Sequence, residues 1–208
     1  ALGYLAWNET RLLAAAGVVR STFDRDWRMA SATAQATVGR LEGFGVEVSE
    51  GDATVALAGH ETEFDVAAML DDRLRAHLGG RSLSDSLGAH VTLETAEART
   101  DSIAMALVRP AHLDLSPDRL AIDDLEIRSD DARIAAHGVI DRRGDQDFRL
   151  EIENLSTGFL SAALGRESLS GTVNGDLTLS GPAAAPQGSG SVDVDLVSGD
   201  RPVGVLRS

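Results

Sequence analysis

Residues 169–182, LSGTVNGDLTLSGP, alternate between two kinds of residue. The odd positions are leucine, valine or glycine, and the even positions are small and polar until the stretch ends at proline. Because successive side chains of a β-strand point to opposite faces, the stretch predicts a strand with one aliphatic face and one polar face. It contains no histidine, cysteine or aromatic residue, so it indicates an architecture and no reaction.

The same alternation recurs along the chain from about Trp27 onward, in short segments separated by Gly, Asp, Ser and Pro. It predicts about a dozen strands and a mainly β fold. Between Ile122 and Leu125 the apolar residues change parity, which predicts a β-bulge within one strand. DRRGDQD (141–147) is typical of a hairpin loop, and SGPAAAPQGSGS (180–191) predicts a longer connection.

Helical patterns are few. ETRLLAAAGVV (9–19) predicts a short helix, and TGFLSAALG (157–165) predicts two helical turns ending in a glycine cap at Gly165. LDDRLRAHLGG (70–80) fits either a helix or a strand that follows an Asp-Asp turn, and we favour the turn.

A dozen strands with one apolar face need a cover for that face, and two or three short helices cannot supply it. A second sheet would give a sandwich or barrel. Alternatively, the sheet curls around an apolar interior that holds something other than protein. Periodicity alone leaves both arrangements open.

The composition excludes several functions. The 208 residues carry 33 acidic and 19 basic side chains, for a net charge of -14, and a surface of this kind repels nucleic acid and anionic membranes. The absence of cysteine excludes disulfides and thiolate chemistry. No run approaches the roughly 18 to 20 apolar residues of a membrane helix. Since the chain begins without methionine and stops in alternating sequence, we interpret it as a piece of a longer protein.

No catalytic motif stands out. The histidines occur singly, without the spacing of metal ligands, and are interpreted as polar-face or rim residues: His60, His77, His90, His112 and His137. GSGSV (188–192) precedes a strand rather than a helix, so it offers no phosphate site. The aspartates of 123–124 and 141–147 are typical turn or edge residues. We therefore expect no enzyme activity, no metal and no cofactor.

One region resembles a known family. RLAIDDLEIRS (119–129), ARIAAHGVI (132–140), DFRLEIENLS (147–156), TGFLSAALG and LSGTVNGDLTLSGP follow one another as in the repeating periplasmic part of the TamB family. The resemblance covers 109–196 well, so 109–208 is assigned to TamB-like β repeats with the short helix near 157–165. Residues 30–108 keep the pattern with a weaker match, and 1–29 form an uncertain N-terminal segment.

The resemblance implies an elongated, curled antiparallel β-sheet, shaped like a taco or half-pipe, with one or two short helices. The concave aliphatic face of such a sheet forms a groove. In the related AsmA-like and bridge-type lipid transfer proteins this groove is thought to carry phospholipid acyl chains between membranes. TamB-family proteins are also linked to outer-membrane protein assembly and protein secretion with a TamA-like outer-membrane barrel protein. The implied location is the periplasm, within an inner-membrane-anchored protein of a Gram-negative bacterium.

The expected groove lining is aliphatic or aromatic throughout and comprises Leu113, Leu115, Leu120, Ile122, Leu125, Ile127, Ile134, Phe148, Leu150, Ile152, Val173, Leu177, Leu179, Val192, Val194 and Leu196. Gly171 and Gly175 share the parity of this lining and would permit close approach of a ligand or tight curvature of the sheet. The alternative interpretation is an extracellular β-sandwich or β-solenoid that acts as a binding or adhesion module.

Overall fold

The part of the chain that the structure describes forms one antiparallel sheet and one short helix. The structure, a computed structural model, describes residues 5–7, 10–26, 29–43, 46–163, 170–198 and 201–207. Within these residues fifteen strands belong to a single sheet. The fold is therefore mainly β, as the alternation predicts, and it is an elongated curled antiparallel sheet, as the resemblance to the TamB family implies.

The strands, numbered along the chain, are β1 (Leu5–Trp7), β2 (Thr10–Phe23), β3 (Met29–Gly43), β4 (Val46–Ala58), β5 (Glu61–Leu70), β6 (Leu74–Ser84), β7 (Ala89–Arg99), β8 (Ala104–Leu107), β9 (Ala111–Leu115), β10 (Arg119–Arg128), β11 (Arg133–Asp141), β12 (Asp145–Ser156), β13 (Gly171–Pro182), β14 (Gln187–Ser198) and β15 (Arg201–Arg207). The helix α1 (Thr157–Ala163) follows β12.

The strand order follows the chain, with one interruption. β8 and β9 occupy a single position between β7 and β10, because each of them pairs with both of these strands. Residues 108–110, which end in Pro110, separate the two halves of this broken strand. Proline lacks the N–H that a central strand must donate, which accounts for the break here.

Strand register gives the sheet two chemically different faces, since residues directly opposite each other in an antiparallel pair lie on the same face. We call one of them the apolar face. One row across it, from β10 to β14, is Ile127, Ile134, Ile152, Gly175 and Val192. Another, from β3 to β9, is Ala34, Val55, Phe64, Gly80, Leu93 and Ala111. The opposite side is the polar face.

Bulges keep the apolar residues on one face. The register shifts between Ile122 and Leu125, which confirms the predicted bulge, and Asp124 has a φ of 49°. A second bulge between Ile152 and Leu155 was not predicted, and Asn154 there has a φ of 50°. Asp and Asn tolerate this left-handed conformation better than other non-glycine residues.

Gly138 of β11 lies opposite Ile122 at the edge of the first bulge. Its φ is +107°, and a Cβ at this position would lie 1.9 Å from the carbonyl oxygen of Asp147. No other residue type fits without moving the β12 backbone. Glycine therefore permits the close strand approach beside the bulge.

A small buried core lies where α1 meets the sheet. It comprises Leu74, Met105, Ala132, Leu155 and Phe159. Its sheet residues flank the turns β5–β6, β7–β8 and β10–β11 and the end of β12, so they share one end of the strands. We call this side of the sheet the α1 end.

The sheet curls at the α1 end. Val66 of β5 and Ile127 of β10 line the same pocket of about 310 Å³, although β6, β7 and the β8–β9 position lie between their strands. Neighbouring strands are about 4.8 Å apart, so a flat sheet would separate the two residues by four such spacings. The apolar face is therefore concave here.

Several local predictions can be compared with these elements. The Asp-Asp turn of 70–80 is confirmed, since Asp71 and Asp72 both have positive φ and β6 follows. The helix near 157–165 is confirmed as α1, while its expected cap, Gly165, lies outside the described residues. The predicted loop of 180–191 is shorter than expected, because β13 extends to Pro182 and β14 begins at Gln187.

The predicted helix at 9–19 is wrong. Residues 10–19 belong to β2, which pairs with β3 along most of its length, and residue 9 lies outside the described residues. The alanines of the segment favour a helix locally, but partners in a sheet override so weak a preference.

Candidate functional site

The candidate site is the apolar face, where the structure places all sixteen residues of the expected lining. In β9 and β10 these are Leu113, Leu115, Leu120, Ile122, Leu125 and Ile127. The first four pair with one another across the two strands, and the bulge in β10 keeps the last two on the same face. In β11 and β12 they are Ile134, Phe148, Leu150 and Ile152. In β13 and β14 they are Val173, Leu177, Leu179, Val192, Val194 and Leu196.

None of these sixteen side chains is fully buried. Leu115, Leu177 and Val192 are exposed, at 41%, 43% and 48%, and the others are half-buried. A sandwich core would bury such residues almost completely, since sheets packed face to face exclude water from the space between them. The apolar face is therefore open to solvent over much of its area.

The second sheet that a sandwich requires is not formed by the part of the chain that the structure describes. Every described strand belongs to one sheet, whose path runs from β1 to β15 without closing. The only helix among the described residues, α1, has seven residues. It covers the α1 end and leaves the rest of the apolar face uncovered.

The α1 end differs from the rest of the face because it is dry. Phe159 of α1 and Leu155 at the end of β12 are 8% and 3% exposed, and they cluster with Leu74 and Met105 from the neighbouring strands. Ile127, Ile134 and Ile152 pack against this cluster. These three residues of the expected lining therefore belong partly to the protein core.

The sequence analysis missed the α1 end as a distinct region. Leu155 has the same parity as Glu153, whereas the earlier apolar residues of β12 have the opposite parity. This change of parity, with Asn154 between the two residues, is the signal that could have revealed the bulge. The bulge turns Leu155 to the apolar face, opposite Val173. No comparable signal in the sequence places Phe159 over Leu74, since these residues belong to elements far apart in the chain.

The polar face is held by ion pairs between strands. The guanidinium of Arg133 in β11 lies 2.8 Å from Glu126 of β10 and 2.9 Å from Glu151 of β12, and Arg128 lies 2.6 Å from Glu126. Hydrogen bonds from Arg133 and then Arg128 lower the pKa of Glu126. A hydrogen bond from Arg133 likewise lowers the pKa of Glu151, while that of Arg133 is raised.

The histidines that pair with other side chains do so on the polar face. His77 lies 2.8 Å from the carboxylate of Asp65, and His90 lies 2.6 Å from that of Asp114. Both histidines are on a strand next to that of their partner. Within the described residues no group of three or more His, Asp or Glu side chains could hold a metal ion.

Asp141 shapes the hairpin between β11 and β12. Its carboxylate accepts hydrogen bonds of 2.8 Å from the backbone N–H groups of Arg143 and Gly144. These bonds lower the pKa of Asp141. The aspartate therefore stabilises a turn, in agreement with its interpretation from sequence.

Gly171 and Gly175 lie on the apolar face, as their parity predicts. A Cβ at Gly171 would lie 2.0 Å from the carbonyl oxygen of Asp195, and one at Gly175 would lie 3.1 Å from that of Ser191. Both atoms belong to β14. These glycines therefore allow close approach of the next strand's backbone.

None of the helices formed by the described residues could cross a membrane. A search of protein-family models, of characterised proteins and of solved structures finds no match to this chain.

Proposed function

We propose that this chain is a non-catalytic segment of a TamB-like envelope protein, whose apolar face shields phospholipid acyl chains during transport between membranes. As part of an inner-membrane-anchored periplasmic protein, it would support outer-membrane protein assembly together with a TamA-like barrel protein. The observation that carries the proposal is the open apolar face, which runs across one sheet and, among the described residues, is covered only by α1 at one end.

The free energy of acyl-chain hydration explains why such a face is useful. Exposing a chain of about 16 carbons to water costs about 0.8 kcal/mol per CH₂, or about 12 kcal/mol in total. A continuous aliphatic face removes much of this cost at each step along the sheet. Branched aliphatic side chains provide no polar contacts, so the face would accept acyl chains without strong selectivity.

The arrangement of charge supports the same proposal. Arg133, Glu126 and Glu151 lie on the polar face, where Arg133 of β11 contacts Glu126 of β10 and Glu151 of β12. No row of the apolar face between β10 and β14 contains a charged residue. A hydrocarbon chain on this face would therefore meet no group that requires hydration.

The experiment that tests the proposal is native mass spectrometry with solvent extraction, on protein purified from a bacterial host. We expect bound phospholipid in the unmodified chain and a strong reduction in Leu177→Asp, which places a charge on the apolar face. Thr178→Asp is the matched control, because Thr178 is the next residue in β13 and lies on the polar face, opposite Arg149.

The two possible failures of this experiment have different meanings. A folded chain that carries no lipid from any host would contradict the proposed role in lipid transport and would favour a binding or adhesion module. Equal loss of lipid in Leu177→Asp and Thr178→Asp would show that lipid binds without regard to face, which would also overturn the proposal.

A further inference from the structure

A pocket lies on the apolar face at the α1 end, and most of the side chains that line it there are small and aliphatic. We call it the terminal pocket. It has a volume of about 310 Å³ and lies among β5, β6, β7 and β10. Its lining on the apolar face consists of Val66, Ala68, Ala76, Leu78, Ala96, Ala98 and Ile127.

We propose that the terminal pocket holds the methyl end of one phospholipid acyl chain, so that the lipid lies with its head group away from α1. This inference rests on the proposed function and adds a place and a direction to it. The wider apolar face shields hydrocarbon in general, whereas the terminal pocket receives the end of a chain.

Small side chains make the space. Ala68, Ala76 and Ala98 occupy directly opposite positions on β5, β6 and β7, on the apolar face. The next position in this row is Met105, which is 2% exposed and belongs to the buried core. The row therefore changes from three alanines to a large buried residue.

One wall of the pocket is the dry core itself. Ala98 and Ile127 line the pocket and also pack against the cluster that contains Phe159 of α1. On the other side Val66 and Leu78 are 37% and 43% exposed. The pocket thus has a buried wall and an open side, which suits a chain that enters by one end.

Volume and charge identify the occupant. About 310 Å³ is at the lower limit of pockets that enclose a small molecule, so it can take part of a phospholipid but not the whole. The two ionisable residues at its border, His77 and Glu97, lie opposite each other on the polar face. The lining on the apolar face contains no ionisable side chain, which matches a hydrocarbon end, and the net charge of -14 on the chain disfavours an anionic head group.

Photolabelling tests the direction of the bound lipid. Two phosphatidylcholine probes of equal chain length would carry a diazirine either at the methyl end or next to the carbonyl of one acyl chain. After irradiation of the 208-residue protein, peptide mapping should place the methyl-end label mainly in 66–78 and 96–98. The carbonyl-side label should fall on other parts of the apolar face.

A substitution that fills the pocket provides the second measurement. In Ala76→Leu the added carbons occupy the space between Ala68 and Ala98, and we expect methyl-end labelling of 66–78 to fall about tenfold. Ala106→Leu is the matched control, because Ala106 is exposed and pairs with Glu97 on the polar face. It should label as the unmodified protein does.

The outcomes separate this inference from the proposed function. If both probes label the apolar face but the methyl-end label is spread evenly, or is unchanged in Ala76→Leu, the assignment of the methyl end to the terminal pocket is overturned. The proposed role of the apolar face in lipid transport then stands. If neither probe labels the protein, both proposals fail. If labelling is confined to the contact between two copies of the chain, the pocket is a protein interface and the inference is also overturned.

Discussion

Leu150 of β12 lies directly opposite Leu177 of β13 on the apolar face, and Leu177 remains 43% exposed despite this contact. In a protein with a closed core, two leucines in such a position would be covered by a second layer. Here each leucine packs against its neighbours within the sheet and presents its outer side to solvent. The consequences for mutation differ from those in an ordinary core.

A charge should be tolerated at Leu177 and harmful at Ile152, although both residues lie on the apolar face. Leu177→Asp should cost about 1 kcal/mol or less in the free energy of unfolding, since the new carboxylate keeps contact with water. Ile152→Asp should cost about 3 kcal/mol, since Ile152 packs against the core at the α1 end. Urea denaturation of both variants measures the difference, and equal losses would contradict the open face.

Removal of Phe159 should destabilise the α1 end. Phe159 is 8% exposed and packs in the cluster with Leu74 and Met105, so Phe159→Ala should cost about 3 kcal/mol through lost burial and the cavity left behind. Leu87→Ala is the control, because Leu87 is 78% exposed in the β6–β7 turn and should change stability little. Hydrogen exchange of β6, β8 and β12 would report the effect. Unchanged protection in these strands would show that α1 does not hold the end of the sheet.

Gly138→Ala should damage the sheet between β11 and β12. The substitution combines a φ of +107° with a collision with the Asp147 carbonyl oxygen, and we expect a loss of at least about 2 kcal/mol in thermal or urea unfolding. Gly188→Ala is the control, because it makes the same glycine-to-alanine change at a position in β14. The nearest atom to a Cβ at Gly188 is 3.9 Å away, so this variant should be nearly neutral. A neutral Gly138→Ala would disprove the close strand approach.

Stability should fall in acid partly because of Glu126. Arg133 and Arg128 lower the pKa of Glu126 in the folded chain below the ordinary value of 4.5. The stability that these contacts contribute is therefore complete above the unfolded pKa and is lost as the pH falls through the folded pKa. Glu126→Gln should reduce the difference between unfolding midpoints measured at pH 7 and pH 3.

Asp130→Asn is the control for charge, since Asp130 is exposed in the turn after β10. It should leave the acid sensitivity nearly unchanged. An equal reduction in both variants would mean that net charge, rather than the contact between Glu126 and Arg133, determines the response.

Alternation was enough to predict the faces of the sheet. Leu177 and Val192 lie on the apolar face because a strand side chain can take only two directions, and parity distinguishes them. The bulge at Ile122–Leu125 was predictable for the same reason, since two apolar runs of opposite parity had to share one face. The candidate lining follows directly from these two rules.

Other features depend on contacts that a linear pattern does not contain. A helix was expected at residues 9–19, most of which form part of β2, because the alanines there are locally suited to a helix and the partner strand β3 is visible only in the fold. The burial of Phe159 against Leu74 depends on curvature across several strands. The terminal pocket was not predicted for the same reason, since it requires Val66 and Ile127 to approach each other across the curled sheet.

The strand order described above also determines how the molecule can assemble. Apart from the broken strand β8–β9, each strand pairs with the next strand in the chain. This includes β12 and β13, although α1 lies between them in the sequence. Growth of such an array needs only short loop closures, so during synthesis each new strand can add to the edge left by the previous one. Local opening should then begin at the two edge strands, which have a partner on one side only, before the rest of the sheet unfolds.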